Sequence, residues 1–146
     1  MNIILFFLTY IAPANYTDRN TWVIRKLKKI PKGKSIIDIG AGEMPYKAYC
    51  KKLNYKSQDF GKYTGENIKI GRKSGKFDSK SVDIISDIIN IPVKNNSYDY
   101  VLCTEVLEHI SNPLNALKEI SRINKNGLLI ERIPRSFAAG LRRKDI

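Results

Sequence analysis

A glycine turn between two carboxylates is the first group of residues that could do chemistry. The apolar run 35–39 contains Asp38 and is followed by Gly40 and Gly42. Asp59 comes later in the chain. Gly40 permits a tight turn, and the missing side chain at Gly42 lets a ligand approach the backbone at the start of a helix. A carboxylate at the tip of the next strand can accept both hydroxyls of a ribose. The pattern predicts a nucleotide-like ligand; the alternative is a structural turn with a solvated Asp59.

The residues around the turn also limit which nucleotide fits. A dinucleotide fingerprint requires a third glycine, and Pro45 occupies that position. Asp38 would lie unfavourably close to a pyrophosphate. It suits instead a cationic ligand that carries an ammonium and a sulfonium group. An NAD-dependent oxidoreductase is therefore a disfavoured alternative.

A second group of chemically capable residues comes later in the chain. Glu105, Glu108 and His109 are spaced i, i+3 and i+4, so on a helix they would share one face. Two carboxylates and an imidazole could bind a divalent cation there. Alternatively, Glu105 borders a cofactor site, and His109 forms a hydrogen bond within the fold or acts as a general base.

The elements that must position these groups alternate between strands and helices. Thr21 or Asn20 is predicted to cap a first helix, and Asn126-Gly127 to end the last one. This alternation predicts an α/β fold of Rossmann-like, doubly wound type, with a mostly parallel sheet of strand order 3-2-1-4-5. The predicted strands are 35–40, 55–60, 82–86, 98–103 and 128–133, and the predicted helices include 22–30, 45–53 and a helix from Asn112-Pro113.

Composition limits the possible classes of protein. A chain of 146 residues with two cysteines has room for one domain and offers no disulfide framework or zinc spacing. The longest apolar run, 1–12, is too short to cross a bilayer, so we expect no membrane span and a cytoplasmic location. The net charge of +12 raises nucleic acid as a partner. The lysines are scattered through loops without stacking aromatics, so nucleic acid is possible but not favoured.

Several of these segments together resemble a known family. Asp-Ile-Gly-Ala-Gly-Glu at 38–43 resembles motif I of class I S-adenosyl-L-methionine-dependent methyltransferases. Residues 86–101 resemble the next signature of that family, 102–110 its post-strand helix, and 116–130 its crossover helix and fifth strand. The resemblance covers about residues 33–130 and implies a transferase that methylates a small-molecule acceptor.

The resemblance implies a role for individual residues. Asp38, Gly40, Ala41 and Gly42 would surround the methionine part of S-adenosyl-L-methionine, with Asp38 serving its ammonium group. Asp59 would hold the ribose hydroxyls. At the far side of the site, the implied residues are Asp87 and the Ile88 N–H for adenine, and Thr104 and Glu105 beside the methyl donor.

The resemblance leaves the catalytic residue and the role of the second group open. His109 and Glu105 are the catalytic candidates. The Glu-x-x-Glu-His pattern is similar to a metal-binding segment of small-RNA 3′-end methyltransferases, although His109 is the single histidine and that family adds another. The alternative functions are a non-catalytic cofactor-binding remnant of a methyltransferase and a basic nucleic-acid-binding domain.

The end of the chain departs from the family pattern. Glu131 and Arg132 place two charges in the predicted fifth strand, and 134–146 do not resemble the family. Burying such charges without partners is costly, which favours a frameshift or truncation near residue 130. The predicted organisation is a helical segment 1–32, a cofactor-binding domain 33–133 and an atypical tail 134–146. We expect the tail to pack poorly and the chain to transfer methyl groups weakly or not at all.

Overall fold

The five strands lie in one parallel sheet whose order is the predicted one, 3-2-1-4-5. The structure, a computed structural model, describes residues 16–61 and 81–130. The predicted Rossmann-like fold class is confirmed. The elements are α1 Tyr16–Lys29, β1 Ser35–Ile39, β2 Asn54–Asp59, β3 Ile84–Ile85, β4 Tyr98–Cys103, α2 Pro113–Ile123 and β5 Asn124–Ile130, with short 3-10 turns at Lys47–Cys50 and Leu107–His109.

Two apolar clusters cover the two faces of the sheet. On one face, Val23, Leu27 and Ile30 pack with Ile36 of β1, as the spacing of α1 predicts. On the other face, α2 buries a stripe against Ile37, Ile39, Val101 and Cys103, and this stripe consists of Ala116, Leu117, Ile120 and Ile123. The sheet is thus buried from both sides, as parallel sheets are.

The same exchange of hydrogen bonds between a serine and an aspartate occurs at two places in the sheet. The Asp99 carboxylate accepts hydrogen bonds from the Ser35 N–H at 2.9 Å and from its hydroxyl at 2.8 Å, while the Asp99 N–H donates to the Ser35 hydroxyl oxygen. Asp83 and Ser57 make the same three bonds between the β3 and β2 segments. Side chains replace the backbone ladder at Asp83, so β3 is shorter than the predicted 82–86. Asp99 thus has a structural role at the start of β4.

Two of the predicted helices differ from the structure. Helix α1 begins at Tyr16 rather than at residue 22, so Asn20 and Thr21 lie within it and do not cap it. The Asn20 side chain instead accepts a hydrogen bond from the Tyr46 hydroxyl. The predicted helix 45–53 is wrong. Only the 3-10 turn Lys47–Cys50 forms there, because the glycine turn and the approach to β2 leave room for a single turn.

The junction between α2 and β5 also differs from the prediction. Pro113 and the Asn112 cap start α2 as predicted, the Asn112 side chain accepting the N–H of Asn115. The helix ends at Ile123, and β5 begins at once rather than at residue 128. The predicted turn at Asn126-Gly127 is therefore wrong, since Gly127 pairs with Tyr100 between β5 and β4.

Several sequence-based expectations fall outside the described residues. These are the charges Glu131 and Arg132, the tail 134–146 and the apolar run 1–12. Truncation near residue 130 stays a prediction. Within 16–61 and 81–130, no helix is both long and apolar enough to cross a bilayer.

Removing the Asp99 carboxylate is expected to weaken the alignment of β1 and β4. We expect Asp99→Ala to lower the free energy of unfolding at neutral pH by about 2 kcal/mol, because it leaves the Ser35 N–H and hydroxyl without their acceptor. Denaturant titration measures the loss, and Lys118→Ala on the exposed face of α2 is the control.

The same variant should also change the response to acid. Hydrogen bonds from Ser35, with Lys34 and Lys125 nearby, lower the pKa of Asp99 from its usual value of 3.8. Its stabilisation is present above that value and is lost as pH falls through the lower folded pKa. The difference between wild type and Asp99→Ala should therefore shrink in acid. A difference that stays constant down to the acid transition would contradict this role.

Candidate functional site

The glycine turn lies at the carboxyl end of β1, where it is tied to β2 and to the segment after β4. Gly40 and Gly42 both adopt left-handed backbone, with φ of 64° and 50°. The Ala41 N–H donates to the Gln58 carbonyl at 3.0 Å. A Cβ on Gly40 would overlap the methyl groups of Val106, so the turn and the segment after β4 are in close contact. The turn therefore requires glycine at position 40 for both its conformation and its packing.

Asp59 ends β2 directly beside this turn. One carboxylate oxygen accepts the Gly42 N–H at 2.9 Å, and the other accepts the Gly61 N–H at 3.1 Å. The side chain is buried, with the residue 2% exposed. The structure thus brings Asp59 and Gly42 together as the spacing predicts.

Asp38 is the second buried carboxyl group of the site. It is 1% exposed, and its Oδ2 accepts a hydrogen bond from the Tyr55 hydroxyl at 2.8 Å. Burial raises the pKa of Asp38 to about 7; the Tyr55 hydrogen bond lowers it and the nearby Asp59 charge raises it. Within the described part of the chain, none of the ion pairs includes Asp38. The group is therefore a buried acid beside the glycine turn without a basic partner.

Gln58 is a site residue that the sequence analysis missed. It is 1% exposed. Its side-chain N–H₂ group donates to the Ser86 carbonyl at 2.7 Å, and its oxygen accepts the Gly40 N–H at 3.4 Å. It thus links the ends of β1 and β3 across β2. Its position directly before Asp59, a predicted site residue at the end of β2, was the available signal.

Asp87 and Ile88 follow β3 on the far side of β2. Asp87 is exposed, and its carboxylate accepts the Ile89 N–H at 3.1 Å, while Ile88 is buried in the core. The backbone of this segment is anchored to the end of β2, since the Ser86 N–H donates to the Asp59 carbonyl at 3.1 Å. The two predicted adenine-side residues therefore lie next to Asp59 along the same edge of the sheet.

An ion pair on α2 holds the loop between β3 and β4 in place. The Arg122 guanidinium contacts both carboxylate oxygens of Glu119 at 2.7 Å. It also donates to the carbonyls of Ile91 and Val93, and Glu119 accepts the Ile91 N–H at 2.7 Å. This bidentate pair fixes the loop between β3 and β4 onto α2. It thereby holds the segment that carries Asp87.

Three large apolar side chains are exposed near these carboxylates. Phe60 directly follows Asp59, Ile85 ends β3, and Ile89 follows Ile88, with exposed fractions of 50%, 58% and 46%. A Cβ on Gly61 would meet Ile85 at 2.9 Å, so the chain after β2 passes close to β3. Exposed apolar groups beside polar anchors are typical of sites for flat, partly apolar ligands.

The segment after β4 carries the second group of candidates. Thr104 is half-buried, and Glu105 is exposed with a left-handed φ of 54°. Such a conformation is strained for a residue with a side chain, and strained residues are frequent at functional sites. Both residues lie next to Val106, which covers Gly40, so the structure places them at the same edge as the glycine turn.

The predicted helical face of Glu105, Glu108 and His109 is wrong. Residues 107–109 form only a 3-10 turn, and Glu105 precedes it in left-handed conformation. His109 Nε2 lies 3.6 Å from Glu108 Oε1; the His109 side chain is exposed and the Glu108 side chain is partly buried. Among the residues described, no three His, Cys, Asp or Glu side chains form a group suited to a metal ion.

Comparison with known proteins gives a family match over most of the chain. The family model described as a methyltransferase domain matches residues 19–144. This match includes 134–144, which the sequence analysis sets apart from the family. The predicted domain boundaries themselves are not tested and stay predictions.

Individual relatives are more distant or cover less of the chain. An uncharacterised protein of Methanocaldococcus jannaschii is 49% identical over 51 residues, which are 35% of this chain and 22% of that protein. A demethylmenaquinone methyltransferase of Staphylococcus saprophyticus is 25% identical over 121 residues, 80% of this chain and 52% of that protein. The chain therefore spans about half or less of the length of these curated relatives.

A solved structure shows the same fold. The SAM-dependent methyltransferase from Aquifex aeolicus superposes with a TM-score of 0.51 at 23% identity, covering 81% of this chain and 68% of that chain.

Substitution of two left-handed glycines should separate backbone strain from close packing. Gly33 has φ of 83° and open space where a Cβ would lie, whereas a Cβ on Gly40 meets Val106. We expect Gly33→Ala to cost about 1–2 kcal/mol of stability from strain alone. Gly40→Ala should cost about 1–3 kcal/mol more, because Val106 must move.

Denaturant unfolding of both variants measures the difference. Adding Val106→Ala to Gly40→Ala should recover the packing part of the loss and leave the strain. Equal losses for Gly33→Ala and Gly40→Ala would show that Val106 does not constrain the turn.

Proposed function

Because the chain belongs to the methyltransferase domain family, we propose that its glycine-turn edge binds S-adenosyl-L-methionine and that the protein transfers a methyl group to a small-molecule acceptor. The cofactor of this family is S-adenosyl-L-methionine. The family predicted from the motifs is thereby confirmed. The acceptor, the transfer reaction and the individual site residues are parts of the proposal.

One observation carries the proposal of a cationic cofactor. Asp38 is almost fully buried, and among the described residues it is not paired with a basic side chain. A buried carboxylate is costly unless a cation or hydrogen bonds compensate for its lost hydration. An ammonium group beside the glycine turn would supply that cation. A negatively charged pyrophosphate would instead increase the cost.

The rest of the edge suits the remaining parts of this cofactor. The backbone of Gly40–Gly42 would face its methionine part, and Asp59 would accept the ribose hydroxyls. Asp87 and the Ile88 N–H would bind adenine, whose faces match the exposed apolar groups of Phe60, Ile85 and Ile89. In this arrangement, Gly42, Asp59 and the anchored segment after β3 act together because hydrogen bonds already connect them.

The transfer step would take place beyond the end of β4. When bound, the cofactor supplies an electrophilic methyl carbon attached to a sulfonium. Thr104 and Glu105 would border that carbon. His109, next to Glu108, is the candidate base for the proton that a hydroxyl or similar acceptor loses on methylation.

The described charges favour a small acceptor over a nucleic acid. Exposed lysines gather at the amino ends of the strands, at Lys32, Lys34, Lys51 and Lys52. The carboxylates Asp59, Asp87 and Glu105 lie at the opposite, carboxyl ends, where a phosphate backbone would be repelled. Similarity to a demethylmenaquinone methyltransferase supports quinol-like compounds as the first acceptors to examine.

Cofactor binding is tested by titration calorimetry on the purified chain. We expect S-adenosyl-L-methionine and S-adenosylhomocysteine to bind, and Asp59→Ala to weaken binding by about 1–3 kcal/mol, since the ribose loses its acceptor. Asp99→Ala removes a carboxylate beside Ser35 at the amino ends of β1 and β4, away from the glycine turn, and should lower stability without this loss of affinity. Preferential binding of NAD would overturn the assignment.

Methyl transfer is tested with labelled cofactor and a panel of acceptors. We expect label to move to small hydroxylated or quinol compounds and to depend on His109, so that His109→Ala retains cofactor binding and loses transfer. Label on RNA instead would contradict the small-acceptor proposal. Cofactor binding without transfer to any acceptor would favour the non-catalytic alternative.

A further inference from the structure

The Tyr55 hydroxyl makes a partly buried contact that the roles above do not use. Tyr55 lies on β2 opposite Ile36 and packs against the apolar cluster beneath α1. Its hydroxyl donates to Asp38 Oδ2 at 2.8 Å. Burial and the neighbouring Asp38 raise the pKa of Tyr55 above its ordinary value. The phenol therefore remains a hydrogen-bond donor throughout the neutral range.

The titratable groups that act on Asp38 come from two elements. Tyr55 and Asp59 lie on β2, and Cys50 lies in the 3-10 turn before it. Burial and the nearby Asp38 raise the pKa of the Cys50 thiol to about 11, so it is neutral at physiological pH. The Tyr55 hydroxyl is the group that favours the ionised form of Asp38, whereas Asp59 opposes it.

We propose that Tyr55 is a positioning residue, which orients the Asp38 carboxylate toward the glycine turn and couples cofactor binding to the release of one proton from Asp38. This inference rests on the proposed cofactor site. The ammonium group binds the ionised carboxylate, so a protonated Asp38 must first lose its proton to solvent. Tyr55 keeps its own proton and donates the same hydrogen bond before and after binding.

The direction of the pH dependence follows from the environment of Asp38. Burial places its pKa at about 7, so the ligand-free chain near neutrality contains both protonation states. Affinity for an ammonium-bearing ligand should rise as pH increases through this value and then level off. Below it, each pH unit reduces affinity by up to tenfold, because a larger fraction of Asp38 must be deprotonated.

The experiment compares two ligands and two tyrosine variants between about pH 5.5 and pH 7, where an α-amino group with a pKa of about 7.7–8.0 stays mostly protonated. S-Adenosylhomocysteine carries the ammonium group, and methylthioadenosine contains the nucleoside and thioether without it. Tyr55→Phe removes the hydroxyl, and Tyr100→Phe on β4, beside the same apolar cluster, is the matched control. Calorimetry in buffers of different ionisation enthalpy measures affinity and protons released.

We expect wild type and Tyr100→Phe to release a proton with S-adenosylhomocysteine at pH 6 and progressively less as pH rises. Tyr55→Phe should move this profile to higher pH, with up to tenfold lower affinity below the midpoint for each unit of displacement. Methylthioadenosine should bind all three proteins with the same, flat profile. Thermal unfolding of each variant verifies that the chain is folded.

The outcomes separate this inference from the proposed function. If neither ligand binds, the proposed cofactor site itself is wrong, and the inference fails with it. If both ligands bind but the Tyr55→Phe profile matches wild type, cofactor binding stands and the role of Tyr55 is refuted. An equal loss of affinity for both ligands in Tyr55→Phe would show a purely structural contribution.

Discussion

The register of the parallel strands is the constraint on which the candidate site depends. Ser35–Asp99 and Ser57–Asp83 exchange hydrogen bonds across neighbouring strands, so a shift of register would break several bonds at once. When the register is fixed, the carboxyl ends of neighbouring strands lie at defined positions relative to one another. For this reason the glycine turn after β1 lies level with Asp59, and the Gly42 N–H reaches its carboxylate. Ser35 lies at the amino end of β1, whereas Ser57 pairs with Asp38 in the ladder, so these exchanges hold the register both away from the site and next to it.

The carboxyl edge is then held together by contacts that cross from one strand to the next. Gln58 connects the glycine turn to Ser86, and Val106 covers Gly40 from the β4 side. Arg122 and Glu119 hold the loop beyond β3 against α2. Gln58 lies outside the recognisable motifs, and Val106, Glu119 and Arg122 lie in motif segments without being predicted site residues. The motifs supply the groups that would meet a ligand, while ordinary packing and hydrogen bonding determine their separations.

The sequence was sufficient for the strand order and for the placement of Asp38, Asp59 and Asp87 at one edge, because these depend on short apolar runs that end in turns. It was insufficient where local pattern and tertiary geometry disagree. Glu105, Glu108 and His109 have helical spacing, but the left-handed backbone at Glu105 prevents the shared face. Asn126-Gly127 is a typical turn sequence, but both residues belong to β5, where Gly127 pairs with β4. Gln58 and Tyr55 could not be assigned in advance, since their partners lie on other strands and are identified only once the register is known.

The two buried carboxyl groups at the carboxyl edge of the sheet, Asp59 and Asp38, differ in how the fold compensates for their charge, and this difference bears on the ligand. Two backbone N–H groups donate to the two oxygens of Asp59, so hydrogen bonds within the fold compensate for the burial of its charge. Asp38 receives one hydrogen bond from Tyr55 and lies within the field of Asp59, so burial dominates and raises its pKa to about 7. A fold that needed Asp38 only for stability would be better served by an apolar side chain of similar size. The carboxyl group is therefore best understood through what it could bind, and the same burial that disfavours its charge in the free chain would strengthen its attraction to a cation that enters the site.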